Sequence, residues 1–251
     1  MAVIKTKPAK TGYHSLCPGC GHGIVVRLIA EILEELGVEK EAVVLGVGCS
    51  CTATPAFGPI DRFQAAHGRG TATATAMKRC RPDITLFTYQ GDGDAYVIGL
   101  NETLNAAYRN ENFTMIVINN NNFGMTGGQM SWTTMPGQVT ETSILGRDCE
   151  YNGYPFHLPE IIANTKGFHT AYVARGAVYD QKTILQTRKM LKNAFEAQIN
   201  GEGFSLVEIL SACPTNWHMT PLQCKERIRT EIVGEYELGE LKCREDKKER
   251  V

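Results

Sequence analysis

Two short apolar runs, each closed by a polar turn and joined by one helix-like segment, constrain the fold of this chain most. The first is Ile84 to Tyr89, which runs into Gly91-Asp92-Gly93-Asp94. The second is Phe113 to Ile118, which runs into Asn119-Asn120-Asn121-Asn122 and then Gly124-Met125-Thr126. Apolar runs of this length read as strands buried on both faces, as in a parallel sheet. The segment from about Ala95 to Tyr108 is the crossover helix between them. In an open parallel sheet, ligands bind outside the carboxyl ends of the strands. The spacing therefore predicts Asp92 and the asparagine run side by side on one sheet edge. Glycine lets backbone approach a phosphate closely. A carboxylate and an amide oxygen are hard ligands suited to Mg²⁺, which takes few protein ligands and completes its shell with water and substrate phosphate. A generic polar turn between strand and helix is the alternative.

The remaining chain repeats the alternation. Ile24, Leu28, Ile32 and Leu36 recur at helical spacing, and Gly37 is placed to stop that helix. Residues 42–47 read as a buried strand ending in Gly48-Cys49-Ser50-Cys51. Residues 52–66 read as loop, and the Ala/Thr-rich segment after His67-Gly68-Arg69 presents small side chains for close packing. A long loop covers 127–158. A helix is predicted over 159–166, a strand over 170–174, a helix over 182–199 and a strand over 204–209. The alternation predicts an α/β fold with a doubly wound, mainly parallel sheet. Residues 1–16 form an N-terminal arm, residues 17–228 one binding domain, and residues 229–251 a charged C-terminal tail, read from Glu235 as a surface helix or a frayed end.

A net charge of −1 gives no electrostatic case for nucleic acid or a membrane surface. No apolar run would span a bilayer, and the first residues lack a secretory pattern, so a cytoplasmic location is expected. Nine cysteines are many for such a chain. Cys17 and Cys20 form a Cys-x-x-Cys turn, Cys49 follows one strand and Cys213 another. Four thiolates from separate turns on one sheet edge suit a [4Fe–4S] cluster, a Cys₄ zinc site is the rival, and a thioredoxin-like redox pair would need a strand before Cys17. Cys80, Cys149, Cys224 and Cys243 read as packed or incidental thiols.

The Gly-Asp-Gly turn followed by Asn-Asn resembles the thiamin diphosphate motif. With Cys17 to His22, Gly46 to Ser50, His67 to Arg69, Gly124 to Gln129 and Cys213 to Trp217 in order, residues 13–228 resemble the β subunit of the 2-oxoacid:ferredoxin oxidoreductases. That resemblance implies a thiamin diphosphate-binding fold. It implies Mg²⁺ at Asp92, Asn120 and the Asn122 carbonyl, and a [4Fe–4S] cluster at Cys17, Cys20, Cys49 and Cys213, with Cys51 a possible substitute for Cys49. Gly48, Cys49, Ser50, His67, Gly91, Asp92, Gly93, Asp94, Asn120, Gly124, Met125 and Thr126 would contact the cofactor. His67 is the catalytic candidate, Arg69 a candidate for a carboxylate or phosphate, and His22 a residue that caps or tunes the cluster. His157, His169 and His218 carry no partner signal.

The chemistry implied is oxidative decarboxylation of a 2-oxoacid. The thiamin ring is the electron sink, the cluster takes electrons singly toward ferredoxin, and the acyl group passes to coenzyme A. The glutamate that activates the thiamin ring has no motif here. The resemblance places it on a partner α subunit, with γ and δ subunits as further partners. Met125 to Gln129 lacks the lysine of the 2-oxoglutarate type and looks like the branched-chain type, which implies a substrate resembling 2-oxoisovalerate. The alternatives are 2-oxoglutarate, pyruvate, or an iron-free thiamin-dependent decarboxylase.

Overall fold

Nearly every residue of the central strands is buried, because helices cover both faces of the sheet they form. The structure, a computed structural model, describes residues 12–244. In chain order the elements are α1 (His22–Glu35), β1 (Glu41–Leu45), α2 (Cys49–Thr52), β2 (Asp61–Gln64), α3 (Gly70–Cys80) and β3 (Thr85–Gly91). A π-helical turn, Gly93–Ile98, leads into α4 (Leu100–Tyr108) and β4 (Thr114–Asn119). Next come β5 (Asn122–Phe123), β6 (Gln129–Met130), α5 (Cys149–Asn152), α6 (Leu158–Asn164), β7 (Tyr172–Ala177), α7 (Gln181–Ile199) and β8 (Ser205–Leu210). The chain ends with α8 (Pro214–Trp217), α9 (Pro221–Arg227), α10 (Val233–Glu235) and β9 (Gly239–Lys242).

The seven-stranded sheet has the order β2-β1-β3-β4-β8-β7-β9 and is parallel except where β9 pairs with β7. The chain leaves β1 toward β2 and returns past it to β3, so the order reverses at β1 and β3. Their carboxyl ends form the crevice expected at such a switch point. The register carries the neighbouring turns to the same edge: Leu45 lies beside Tyr89, Gly91 beside Ile118, and Asn119 beside Leu210.

One core lies between the sheet, α1 and α7, with Ile29, Leu33, Phe87, Phe195 and Val207 buried in it. A second lies under α3, α4 and α6, around Tyr96, Ala106, Phe113, Leu158 and Leu206, and a smaller third gathers Trp217, Cys224, Ile228 and Tyr236. Ala74 and Thr75 of α3 are buried, the close packing expected of that Ala/Thr-rich helix. Each buried Leu, Ile, Val or Phe contributes about 1.5–3 kcal/mol.

Three elements differ from the sequence reading. The loop expected over 52–66 contains β2, whose four residues are all exposed and therefore lack an apolar signature. The tail forms β9 rather than a helix or a frayed end, because Glu240 accepts a 2.6 Å hydrogen bond from Tyr172 and Lys242 donates to the Phe168 carbonyl. The crossover helix starts as a π turn and restarts at Gly99. Residues 1–11 of the expected arm and 245–251 of the tail lie outside the described residues; residues 12–16 carry no regular structure. Among the described residues no helix is long and apolar enough to cross a membrane.

Candidate cofactor site at the carboxyl edge of the sheet

A cleft opens at the switch point. All twelve residues expected at the cofactor line it: Gly48, Cys49, Ser50, His67, Gly91, Asp92, Gly93, Asp94, Asn120, Gly124, Met125 and Thr126. His22, Val47, Asn122 and Phe123 complete the lining. Gly48 has φ 126°, a conformation open to glycine but costly for other residues, and it turns the chain from β1 into α2. Asn121 has φ 59°, a left-handed state that asparagine tolerates. That turn buries Asn121 away from the cleft, where its Nδ2 donates to the Thr133 carbonyl at 2.7 Å.

Oxygens converge at the floor. The side-chain oxygen of Asn120 lies 2.8 Å from the Asn122 carbonyl oxygen, 3.1 Å from Asn122 Oδ1 and 3.3 Å from Asp92 Oδ1. All are acceptors. An inverted Asn120 amide would supply donors there; a divalent cation would stabilise the oxygens as they stand. Octahedral Mg²⁺ holds oxygens at about 2.0–2.1 Å, hence about 2.9 Å from one another. The donor set and its spacing fit that ion. Burial pushes the Asp92 carboxyl up to about 6, against hydrogen bonds from the Ser131 and Thr133 side chains and the Asn120 backbone N–H.

His67 is held by Asp94. Its Nδ1 bonds Asp94 Oδ1, which also accepts from the backbone N–H groups of Gly68 at 2.8 Å and Val47 at 3.2 Å. Gln90 Nε2 donates to Asp94 Oδ2 at 2.6 Å. An acceptor ringed by donors makes Nδ1 the proton-bearing nitrogen and leaves Nε2 free. Gly46 must be glycine, since a side chain there would strike the Asp94 carboxylate. Arg69 is engaged by Glu102. His22 is buried against Tyr89 OH at 2.8 Å, and burial lowers its pKa to about 4, so it is a neutral residue of the cleft wall.

The four cysteines gather beside this floor. Gly19 packs on Pro221, and the Gly21 N–H donates to Ser211 Oγ at 3.0 Å, which docks the Cys17–Cys20 turn onto the segment holding Cys213. A Cβ at Gly124 would lie 3.2 Å from both Asn120 Nδ2 and Cys49 Sγ, so cysteine and metal-type floor are neighbours. Burial, then the thiols of Cys213, Cys17, Cys20 and Cys51, push Cys49 up to about 12. Burial also raises Cys20, against the N–H groups of His22 and Gly23, and Cys213, against the Asn216 N–H and the Asn122 side chain. Cys51 Sγ lies 3.9 Å from Met125 Sδ. Among the described residues no three His, Cys, Asp or Glu side chains are close enough to hold a single metal ion.

Asn216 and Trp217 belong to the Cys213 to Trp217 motif, whereas Glu208 and Arg175 carried no sequence signal. Asn216 Nδ2 donates to the Gly124 carbonyl at 2.7 Å, and Trp217 Nε1 to the Asn120 carbonyl at 3.2 Å, so α8 clamps the asparagine turn. Asn119 Nδ2 donates to Glu208 at 3.1 Å, and Glu208 pairs with fully buried Arg175 on the neighbouring strand. His157 also has partners: Nε2 meets Glu235 at 2.9 Å, and its pKa is raised chiefly by Glu160.

Residues 46–209 match the thiamine pyrophosphate enzyme family, C-terminal TPP binding domain. The chain is 40% identical over 238 residues to ketoisovalerate oxidoreductase subunit VorA of Methanothermobacter thermautotrophicus, covering 94% of this chain and 49% of that one. It is 35% identical over 204 residues to 2-oxoglutarate synthase subunit KorB of Methanocaldococcus jannaschii, covering 80% of this chain and 70% of that one. The solved 2-oxoglutarate:ferredoxin oxidoreductase from Magnetococcus marinus, with 2-oxoglutarate, coenzyme A and succinyl-CoA bound, superposes with a TM-score of 0.68 at 28% identity, over 85% of this chain and 70% of that one. The chain belongs to the thiamine pyrophosphate enzymes, among the β subunits of the 2-oxoacid:ferredoxin oxidoreductases. It spans about half the length of the ketoisovalerate relatives it matches.

Proposed function

We propose that this chain, with a partner α subunit, converts a 2-oxoacid and coenzyme A to acyl-CoA and CO₂, passing the two electrons released to ferredoxin. The observation that carries this reading is the adjacency of the two constellations: Gly124 abuts both Asn120 and Cys49, and Asn122 reaches both the oxygen floor and Cys213. Asp92, Asn120 and the Asn122 carbonyl hold Mg²⁺ and through it the cofactor diphosphate. Cys17, Cys20, Cys49 and Cys213 hold one [4Fe–4S] cluster. The thiols of Cys213, Cys17 and Cys20 lie close enough to Cys49 to raise its pKa, and four such thiolates suit a cluster of this kind. When bound, thiamin diphosphate would supply an electron sink for decarboxylation and the cluster a one-electron path toward ferredoxin.

The protein's own share is orientation and proton handling. Asp94 fixes His67 with Nε2 toward the cleft, where it gives or takes a proton at the reacting carbonyl oxygen. α8 and the Glu208–Asn119 contact hold the asparagine turn in place. Met125 and Phe123 line the cleft, and among its described lining residues there is no lysine or arginine to pair a distal carboxylate. The substrate we assign is an apolar 2-oxoacid such as 2-oxoisovalerate, the choice favoured by the Met125 to Gln129 segment and by the name of the ketoisovalerate relative. The activating glutamate comes from the α subunit, and γ and δ subunits complete the complex.

The test is coenzyme A-dependent reduction of ferredoxin by the native complex under anaerobic conditions. Turnover with 2-oxoisovalerate well above that with 2-oxoglutarate or pyruvate is expected. Faster turnover of 2-oxoglutarate overturns the substrate assignment, and no ferredoxin reduction with any 2-oxoacid overturns the reaction.

A further inference from the structure

The two oxygens of Asp92 are treated differently. Oδ2 accepts the Thr133 hydroxyl, whereas Oδ1 is the oxygen that faces Asn120. Thr133 Oγ1 lies 3.2 Å from Ser131 Oγ, and the Ser131 side chain reaches the same carboxylate. Ser131 and Thr133 are fully buried.

These hydroxyls sit on an irregular loop that is heavily braced. The Thr133 carbonyl accepts from Asn121 Nδ2 at 2.7 Å and from the Tyr236 hydroxyl at 3.0 Å. The Thr134 hydroxyl donates to the Asn121 carbonyl at 2.7 Å. Arg147 Nη1 donates to the carbonyls of Trp132 at 2.8 Å and Thr134 at 2.5 Å. Thr133 is thus fixed to the turn that carries Asn120 and Asn122.

A carboxylate with one oxygen already engaged offers the other alone. Mg²⁺ requires a tight octahedron and takes single-oxygen carboxylate contacts, whereas Ca²⁺ accepts six to eight oxygens at about 2.3–2.6 Å and often takes both oxygens of one carboxylate. We propose that Thr133, supported by Ser131, is a positioning residue that restricts Asp92 to one metal-facing oxygen and so biases the site toward Mg²⁺ over Ca²⁺. The inference rests on the metal site proposed above.

The test uses the assembled complex, stripped with chelator, carrying Thr133→Val or Thr133→Ser. Binding of thiamin diphosphate is titrated calorimetrically with Mg²⁺ alone and with Ca²⁺ alone. The valine variant is expected to lose roughly tenfold in the Mg²⁺-supported affinity, the effect of one hydrogen bond to a charged group, with the Ca²⁺-supported affinity unchanged or higher. The serine variant restores the wild-type ratio. Equal loss with both metals, or no change, overturns the inference. If Thr133→Val does not assemble, Ser131→Ala is expected to shift the ratio the same way by a smaller factor, and an unshifted ratio there overturns it equally. Wild type that binds the cofactor with neither metal instead overturns the underlying metal site.

Discussion

The side-chain oxygen of Asn120 stands 2.8 Å from the carbonyl oxygen of Asn122, acceptor against acceptor. Asp92 Oδ1 lies 3.3 Å from the same atom. An inverted Asn120 amide would relieve that contact with donors; in the site proposed above a divalent cation does so. Replacing Asp92 by Asn removes the one formal charge in the set. The expected loss of Mg²⁺-dependent thiamin diphosphate binding is about 3 kcal/mol or more, roughly a hundredfold. Titration of the stripped complex measures it, and binding within threefold of wild type would contradict the assignment.

The metal-free protein carries a pH signature of the same residue. Burial raises the Asp92 carboxyl to about 6, above the unfolded value of about 3.9. The folded state therefore holds this proton more tightly than the unfolded state. Its stability is unaffected by Asp92 below about pH 4, falls as the pH rises through about 6, and levels off above, by about 3 kcal/mol in all. Asp92→Asn has no such proton, so its metal-free complex gains on wild type across that window. Thermal unfolding of both from pH 4 to 8 checks this, and a constant difference would refute it.

Asp94 orients His67, so Asp94→Asn is expected to reduce turnover by about a hundredfold or more, within the range for loss of acid–base catalysis. Thiamin diphosphate affinity changes far less, because the oxygen floor is intact. Anaerobic turnover beside calorimetric cofactor binding separates the two. Parallel loss of both would make Asp94 a structural residue of the cleft.

Arg175 is fully buried between Glu208 and Glu160. Glu208→Gln leaves that cation with one carboxylate and loosens Asn119, so about 3–5 kcal/mol of stability is lost. Denaturant unfolding measures it, and a cost below about 1 kcal/mol would mean that the pair carries little.

Much of the fold was legible because a buried parallel strand must be apolar throughout and must end in a turn. That placed β1, β3, β4, β7 and β8 within a few residues and set Asp92 beside the asparagine run, whereas the full set of twelve cleft residues came from the family resemblance. The unseen parts have physical reasons. β2 and β9 are edge strands whose exposed, charged residues hide them from an apolar pattern. Thr133 acts across 41 residues on Asp92, and Tyr236 across 103 on Thr133. No local period reports such pairs. Arg175 sits inside Tyr172–Ala177, where a lone charge reads as exposed until Glu208 is seen on the next strand. Of the two partners of His157, Glu160 lies three residues on and was overlooked, whereas Glu235 arrives from 78 residues away.

The proposed function requires one chain to hold a cluster beside the diphosphate site. Iron, acid-labile sulfide, zinc and thiamin diphosphate are to be quantified per copy of this chain in the anaerobically purified complex, wild type beside Cys213→Ser. Loss of one cluster's worth of iron and sulfide, with thiamin diphosphate retained, is the predicted result. Zinc at the cysteines, with iron unchanged by the substitution, would contradict it.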